Sequence, residues 1–244
     1  DWVLDNAITM AGSGGAWIRA EEVTALEATD DPDDTTWTGG FDTAYHLFRD
    51  GGVGRGAPSE VADRYYRAVL AYRAGDMKTA ALHVGILSHY YSDISQPFHS
   101  EYDGANSTTL DALHAQYEQD VDKVAGDPGA HSNWINTDGF QPITDARAKT
   151  ISAASYSRSK YPALIAALKT SSKADDDAVT SAVLNRATND LRDILQSIPE
   201  AAATGAGLPV PPRTIRASMY KYYPAQNTKV RANAVALSAS GAPL

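Results

Sequence analysis

One stretch decides the fold of this chain: residues 76–99, which read DMKTAALHVGILSHYYSDISQPFH. Its apolar residues cover most faces of a helix rather than one stripe; they are Ala80, Ala81, Val84, Ile86 and Leu87. A helix that is apolar nearly all round is a buried one. The stretch therefore predicts a central helix over residues 76–94. Pro97 ends it, because proline cannot donate the next main-chain hydrogen bond.

Helical signals also flank this stretch on both sides. They predict helices over residues 2–10, 16–28, from 58 onward, 107–124, 143–169 and 174–198. Two loops separate some of these helices, an acidic one at residues 30–34 and one rich in Gly, Pro and Asn at 126–139. Strand signals are sparse. The predicted fold class is therefore all-α, a single compact multi-helix bundle. The composition shifts to Ala, Gly and Pro after Pro199, which predicts a helical domain over residues 1–200 and a C-terminal arm of uncertain structure over 201–244.

Composition limits the classes of function. The chain has 244 residues and a net charge of −9, which argues against nucleic acid held on a broad basic face. It has no cysteine, so any metal site must use His, Asp and Glu. No apolar stretch approaches the roughly 18–20 residues that span a bilayer. Asp1 stands first rather than Met, which we interpret as a processed or trimmed chain.

Histidines and carboxylates are concentrated around the central helix. His89 and Asp93 stand four residues apart and project from one helix face, and His114 and Glu118 repeat this spacing on the next predicted helix. His99 lies between the two pairs. Two facing helices with such pairs can close on metal inside a bundle. Imidazole and carboxylate ligands without sulfur favour zinc over iron or manganese.

The pair on the central helix needs at least one further ligand. His46 is the best remaining histidine, and an aspartate from the acidic loop could reach the same cluster. The simpler alternatives are a solvated His/acid pair and an acidic turn that only aids solubility. His83 falls on another face and is interpreted as a packed or surface histidine, and His131, in the polar loop, as a solvated one.

The pattern His-x3-Asp-x5-His followed by His-x3-Glu, at residues 89–99 and 114–118, resembles the bacterial zinc-dependent phospholipase C family. That family includes phosphatidylcholine-hydrolysing phospholipases C and the catalytic domain of clostridial alpha-toxin. The resemblance implies an all-α fold and up to three zinc ions. It implies that His46 and His89 bind one ion, that Asp93 bridges to another, and that His99, His114 and Glu118 hold a third.

The resemblance also implies an aspartate that acts as metal ligand or general base. The family's offset of about fourteen residues before His46 falls on Pro32, so Asp31 is the first choice and Asp30 the second. One zinc site of the family uses a Trp and a His near the N-terminus, and these would lie upstream of Asp1. Choline-contacting aromatics of the family are replaced here by Thr43 and Pro32, so the resemblance does not carry choline specificity.

The function implied is a secreted, monomeric phospholipase C. It would hydrolyse glycerophospholipids at a membrane or micelle surface to diacylglycerol and a phosphorylated head group, through peripheral contact only and with no nucleic acid as partner. Tyr220, Tyr222 and Tyr223 are candidates for that contact. One alternative is a single-strand nuclease or 3′-nucleotidase, whose family pattern has Asp where this chain has Glu118. The other is a degenerate relative with a structural zinc site.

Overall fold

The computed structural model describes residues 2–34, 36, 43–48, 56–101, 108–125, 131–171 and 173–205. The α-helices in these ranges are α1 Trp2–Met10, α2 Ala16–Arg19, α3 Glu22–Glu27, α4 Ala57–Arg73, α5 Met77–Ser95, α6 Pro97–Glu101, α7 Thr108–Ala125, α8 Ala146–Thr170 and α9 Lys173–Thr204. Short 3-10 turns cover Gly12–Gly15, Asp31–Asp33, Thr43–His46 and Ser132–Trp134. The all-α prediction is confirmed.

Helix α5 is the centre of the bundle, as its sequence predicts. Asp76 caps its N-terminus by accepting a hydrogen bond from the Thr79 amide at 3.0 Å. Eleven of its nineteen residues are buried, against α3, α4, α8 and α9. The helix ends at Ser95, Gln96 has an extended backbone, and Pro97 opens α6. This break redirects the chain at the place where the His/carboxylate cluster continues.

Helix α9 is longer than the sequence predicts, because it continues through Pro199 to Thr204. Proline inside a helix removes one main-chain hydrogen bond. Tertiary packing offsets that cost here: Ile198 and Ala201 are buried, and Arg73 of α4 donates to the carbonyl of Ala202 at 2.7 Å. The predicted helix over residues 16–28 is in turn divided into α2 and α3.

An extended segment, residues 135–144, lies along α9 and is attached by side chains one helical turn apart. Asn185, Asn189, Asp193 and Ser197 accept hydrogen bonds from the main-chain amides of residues 136, 138, 141 and 143, at 2.7–3.2 Å. We call this segment the strap. It leads directly into α8, whose N-terminus is capped by Asp145.

The chain divides into two units, Asp1–Gly207 and Leu208–Leu244. The predicted boundary at residue 200 stays a prediction. Residues 206–244 lie outside the described part of the chain, and with them most of the predicted arm and the three candidate tyrosines. None of the described helices combines the length and hydrophobicity needed to cross a bilayer.

Candidate metal centre

Three helices and two 3-10 turns bring the candidate ligands together. His89 and Asp93 lie one turn apart on α5, His99 lies on α6, and His114 and Glu118 lie one turn apart on α7. His46 ends the turn Thr43–His46, and Asp33 ends the turn Asp31–Asp33. In the described ranges, the ligand atoms form two groups within which all atoms lie within 4.8 Å of one another.

Asp33, His46 and His89 form the first metal group. His46 Nδ1 lies 3.1 Å from His89 Nε2. Asp33 Oδ1 lies 3.8 Å from His46 Nδ1 and 3.6 Å from His89 Nε2. Ligands about 2.1 Å from a tetrahedral zinc ion lie about 3.4 Å from one another. The spacing of these three atoms therefore fits a shared metal ion.

His99, His114 and Glu118 form the second metal group. Glu118 Oε1 lies 2.8 Å from His114 Nε2 and 3.3 Å from His99 Nε2. The amide of Gln96 donates to the same oxygen at 3.1 Å. The donor set is two imidazoles and one carboxylate, which suits zinc with a coordination position left over.

Asp93 lies between the two metal groups. Its Oδ2 is 2.8 Å from His46 Nδ1 and 3.3 Å from His89 Nε2. Its Oδ1 faces His99, with 3.7 Å to Nδ1 of that ring. One carboxylate thus touches ligands of both groups.

Main-chain carbonyls fix the orientation of two histidine rings. His89 Nδ1 lies 2.7 Å from the carbonyl oxygen of Thr29, and His99 Nδ1 lies 2.9 Å from that of His46. A carbonyl can only accept, so each Nδ1 carries a proton, and when the ring is neutral its lone pair lies on Nε2. This is the outer contact that metal-binding histidines usually have.

Ring packing restricts the histidines further. Tyr90 contacts the rings of His46 and His89 edge-on, with centroids 5.2 Å and 5.4 Å away. Phe98 stacks on His114, with a centroid distance of 4.8 Å and an interplanar angle of 14°. The Phe98 and Tyr90 side chains are fully buried, so the apolar core itself holds the imidazoles in place.

The electrostatics of the cluster couple histidines to carboxylates. Burial would raise the pKa of Asp93, but hydrogen bonds from His46 and His89 hold it well below its usual range. Hydrogen bonds from His114 and His99 likewise lower the pKa of Glu118. Burial would lower the pKa of His89 and His99, yet their carboxylate partners raise it. Metal binding to these rings must therefore displace protons.

The cluster opens into a cleft of about 310 Å³. His89, Asp93 and Glu118 line its polar side, and apolar residues of α1, α7 and α9 line the other: Trp2, Val3, Val121, Val183, Leu184 and Ala187. A centre of this kind is accessible from solvent, as a catalytic metal site requires.

All six metal ligands predicted from the sequence meet at this centre: His46, His89, Asp93, His99, His114 and Glu118. Their role as ligands stays a prediction. Asp31 and Asp30, the predicted bases, belong to neither metal group, whereas Asp33 belongs to the first. The sequence signal for Asp33 was its place in the acidic loop, thirteen residues before His46. Asp33 lies at the end of the turn Asp31–Asp33, and it is the aspartate of this loop that faces the histidines.

The other two histidines lie apart from both groups. His83 is half-buried on α5 and close to Arg64 and Arg67 of α4, and these surroundings lower its pKa to about 4. His131 has a left-handed backbone with φ 64°, and its ring packs against Trp134 at 4.1 Å.

Comparison with known proteins identifies the family of this chain. The family model described as zinc dependent phospholipase C matches residues 40–189, more than half of the chain. The chain belongs to the zinc-dependent phospholipase C family. Zinc is thus the metal that its family membership implies, and the donor chemistry of both metal groups fits that ion.

Two curated phospholipases C of Bacillus cereus are 32% identical to this chain over 87 residues, which cover 32% of this chain and 29% of theirs. The alpha-toxin of Clostridium absonum superposes with a TM-score of 0.56 at 16% identity, over 83% of this chain and 64% of the toxin. Clostridium perfringens alpha-toxin gives 0.52 at 15% identity, over 83% and 63%. The match thus spans less than a third of the curated relatives and less than two thirds of either toxin chain.

Proposed function

We propose that this protein is a zinc-dependent phospholipase C that hydrolyses the phosphodiester of glycerophospholipids to diacylglycerol and a phosphorylated head group. The single observation that carries the proposal is the position of Asp93, which touches histidines of both metal groups beside an open cleft. Two adjacent metals suit in-line displacement at phosphorus. Family membership and the names of the curated relatives support the same reaction.

The first metal group would hold one ion and the second another, with Asp93 positioned between them. The sequence resemblance implies one more ion, next to Asp93 and with ligands near the N-terminus, and that ion stays a prediction. When bound, zinc offsets the charge of the phosphate and lowers the pKa of a coordinated water toward about 7. The protein's part is to hold His89 and His99 with Nε2 free, through the carbonyls of Thr29 and His46.

A carboxylate of the acidic turn would accept the proton of the attacking water. The sequence alone favours Asp31 and then Asp30 for this role. Asp33 is the strongest candidate in the structure, because its carboxylate lies 3.6 Å from His89 Nε2 and its side chain is 73% exposed. Burial, followed by the charges of Asp34 and Asp30, raises the pKa of Asp31. Attack in line with the ester bond would then expel the diacylglycerol oxygen.

We further propose secretion, action as a monomer, and peripheral contact with lipid. The apolar side of the cleft supports a substrate with an apolar portion, since Val183, Leu184 and Ala187 line it. The net charge of −9 supports a small phosphate ester rather than a nucleic acid chain as substrate.

The test is hydrolysis of short-chain phosphatidylcholine, phosphatidylethanolamine and phosphatidylglycerol beside single-stranded DNA. We expect diacylglycerol release from at least one lipid, its loss after exhaustive chelation, and its recovery with zinc. Cleavage of the DNA without lipid hydrolysis would identify a nuclease instead. Zinc binding with no hydrolysis of any substrate would identify a structural site.

A further inference from the structure

We propose that Gly85 is a positioning residue of the first metal group, acting through α3 on both His89 and the turn that carries Asp33. The inference rests on the proposed role of that group in zinc binding. Gly85 lies one turn before His89 on the same face of α5. It is buried and belongs to the contact between α5 and α3.

The two helices meet at main-chain distance at this point. A Cβ atom added to Gly85 would lie 2.1 Å from the carbonyl oxygen of Ala25 and 2.7 Å from the Cβ of Ala28. A carbonyl oxygen of a helix cannot move without the helix. Any larger side chain at residue 85 therefore has to push the C-terminal half of α3 away from α5.

The segment that such a shift would move includes the partner of His89. The carbonyl of Thr29, which accepts from His89 Nδ1 at 2.7 Å, follows Ala28 directly. Thr29 is held to the end of α3, because both its amide and its hydroxyl donate to the carbonyl of Leu26, at 3.2 Å and 2.7 Å. Displacement of α3 would thus withdraw the acceptor that keeps the proton on His89 Nδ1.

The same segment leads without interruption to Asp33. The amide of Asp30 donates to the carbonyl of Glu27 at 3.3 Å, and the amide of Asp33 donates to the carbonyl of Asp30 at 3.2 Å. These consecutive turns connect the end of α3 to the carboxylate of the first metal group. One contact at Gly85 therefore sets the positions of two of the three members of that group, whereas the second metal group stands on α6 and α7, outside this contact.

The test compares Gly85→Ala with the control Gly75→Ala in the full chain. Gly75 has φ +78° and open space around it, so alanine there strains the backbone without touching α3. Binding of zinc and of Co²⁺ is measured by titration calorimetry and by the visible spectrum of the cobalt protein. We expect Gly85→Ala to lower the affinity for one of the two ions about 10–100-fold. We expect Gly75→Ala to leave both affinities unchanged.

A second variant keeps the test valid if Gly85→Ala fails to fold. Ala28→Val enlarges the same contact from the side of α3, and we expect the same selective loss of one ion. Wild-type affinity for both ions in Gly85→Ala or in a folded Ala28→Val would overturn the role of Gly85, as would equal losses in Gly85→Ala and Gly75→Ala. Failure of the wild-type chain to bind any ion at the first group would instead overturn the proposed function.

Discussion

His99 donates a hydrogen bond from Nδ1 to the main-chain carbonyl of His46, with 2.9 Å between the two atoms. A main-chain hydrogen bond joins the same two segments, in which the amide of Phe48 donates to the carbonyl of His99 at 3.0 Å. A residue of the second metal group therefore fixes the backbone of a residue of the first. The two groups are mechanically connected although they stand on different elements.

This connection predicts different effects for two ligands of the second metal group. His114→Ala removes a ligand and its stacking on Phe98 but leaves the contact between His99 and the carbonyl of His46 in place, so the protein should lose one ion and keep the other with unchanged affinity. His99→Ala removes a ligand and also releases the carbonyl of His46, so the remaining ion should bind about 10–100-fold more weakly. Zinc titration of both variants measures the difference. Equal affinities for the remaining ion would contradict the coupling.

The acidic turn predicts a ranking of three aspartates. Asp33→Asn should lower kcat for phospholipid about 10²–10⁴-fold, the contribution typical of a general base, because this carboxylate faces His46 and His89. Asp30→Asn and Asp31→Asn should have smaller effects, since neither residue belongs to a metal group. Steady-state kinetics with zinc-saturated enzyme measures the ranking. A larger fall of kcat in Asp31→Asn than in Asp33→Asn would identify Asp31 as the base.

The strap predicts a large effect on stability at a residue that is not a metal ligand. Asn189 accepts from the amide of Asp138 at 3.2 Å and from Arg192 at 2.7 Å, and it donates to the carbonyl of Asn136 at 2.8 Å. Asn189→Ala removes these three hydrogen bonds from a buried position, two of them to the strap, so the free energy of unfolding should fall by about 2–4 kcal/mol. Urea unfolding measures the change.

The control for the strap is Ser181→Ala on the same helix. Within the described ranges, Ser181 donates only to the carbonyl of Ala178 of the same helix, and this hydrogen bond is exposed. Its removal should change the free energy of unfolding by about 0.5 kcal/mol or less. Similar losses in both variants would mean that the strap contributes little to stability.

His83 predicts a pH dependence of stability. Burial first, and then the charges of Arg64 and Arg67, lower its pKa from 6.5 to about 4 in the folded protein. Between pH 6.5 and pH 4 the unfolded chain binds a proton at this residue and the folded chain does not, so the free energy of unfolding falls as the pH falls through that window. Because the ring is only half-buried, we expect the loss to be about 1–2 kcal/mol.

His83→Gln removes this titration. Unfolding by urea at pH 7, 6, 5 and 4 should give a shallower decline for the variant than for the wild-type protein, with the two curves diverging below pH 6.5. Other groups titrate in the same range in both proteins and cancel in the difference. Parallel curves would show that His83 does not take part.

Much of the bundle could be predicted from local sequence. Helix α5 follows from its apolar pattern, its Asp76 cap and the break at Pro97, all of which act within a few residues. The end of α9 could not be predicted, because the contacts that offset the cost of Pro199, such as burial of Ile198 and the hydrogen bond from Arg73 on another helix, are tertiary. The strap could not be predicted from the sequence either, because its hydrogen-bond partners lie about fifty residues away along the chain.

The metal centre likewise has parts that follow from local sequence and parts that depend on tertiary contacts. Pairs four residues apart, such as His89 with Asp93, are fixed by helix geometry and are readable in the sequence. The partner aspartate from the acidic turn is not, because Asp30, Asp31 and Asp33 are chemically alike. Which of them approaches His89 depends on how the acidic turn is placed against α5, and we propose that the contact at Gly85 sets this placement.

The decisive measurement is X-ray diffraction from crystals of the zinc-loaded protein at the zinc absorption edge. We predict two anomalous peaks beside Asp93, one about 2.0–2.2 Å from His46 and His89 and one at the same distance from His99, His114 and Glu118. Peaks confined to the surface, or an Asp93 carboxylate without a metal on either side, would contradict a dinuclear centre formed by these residues.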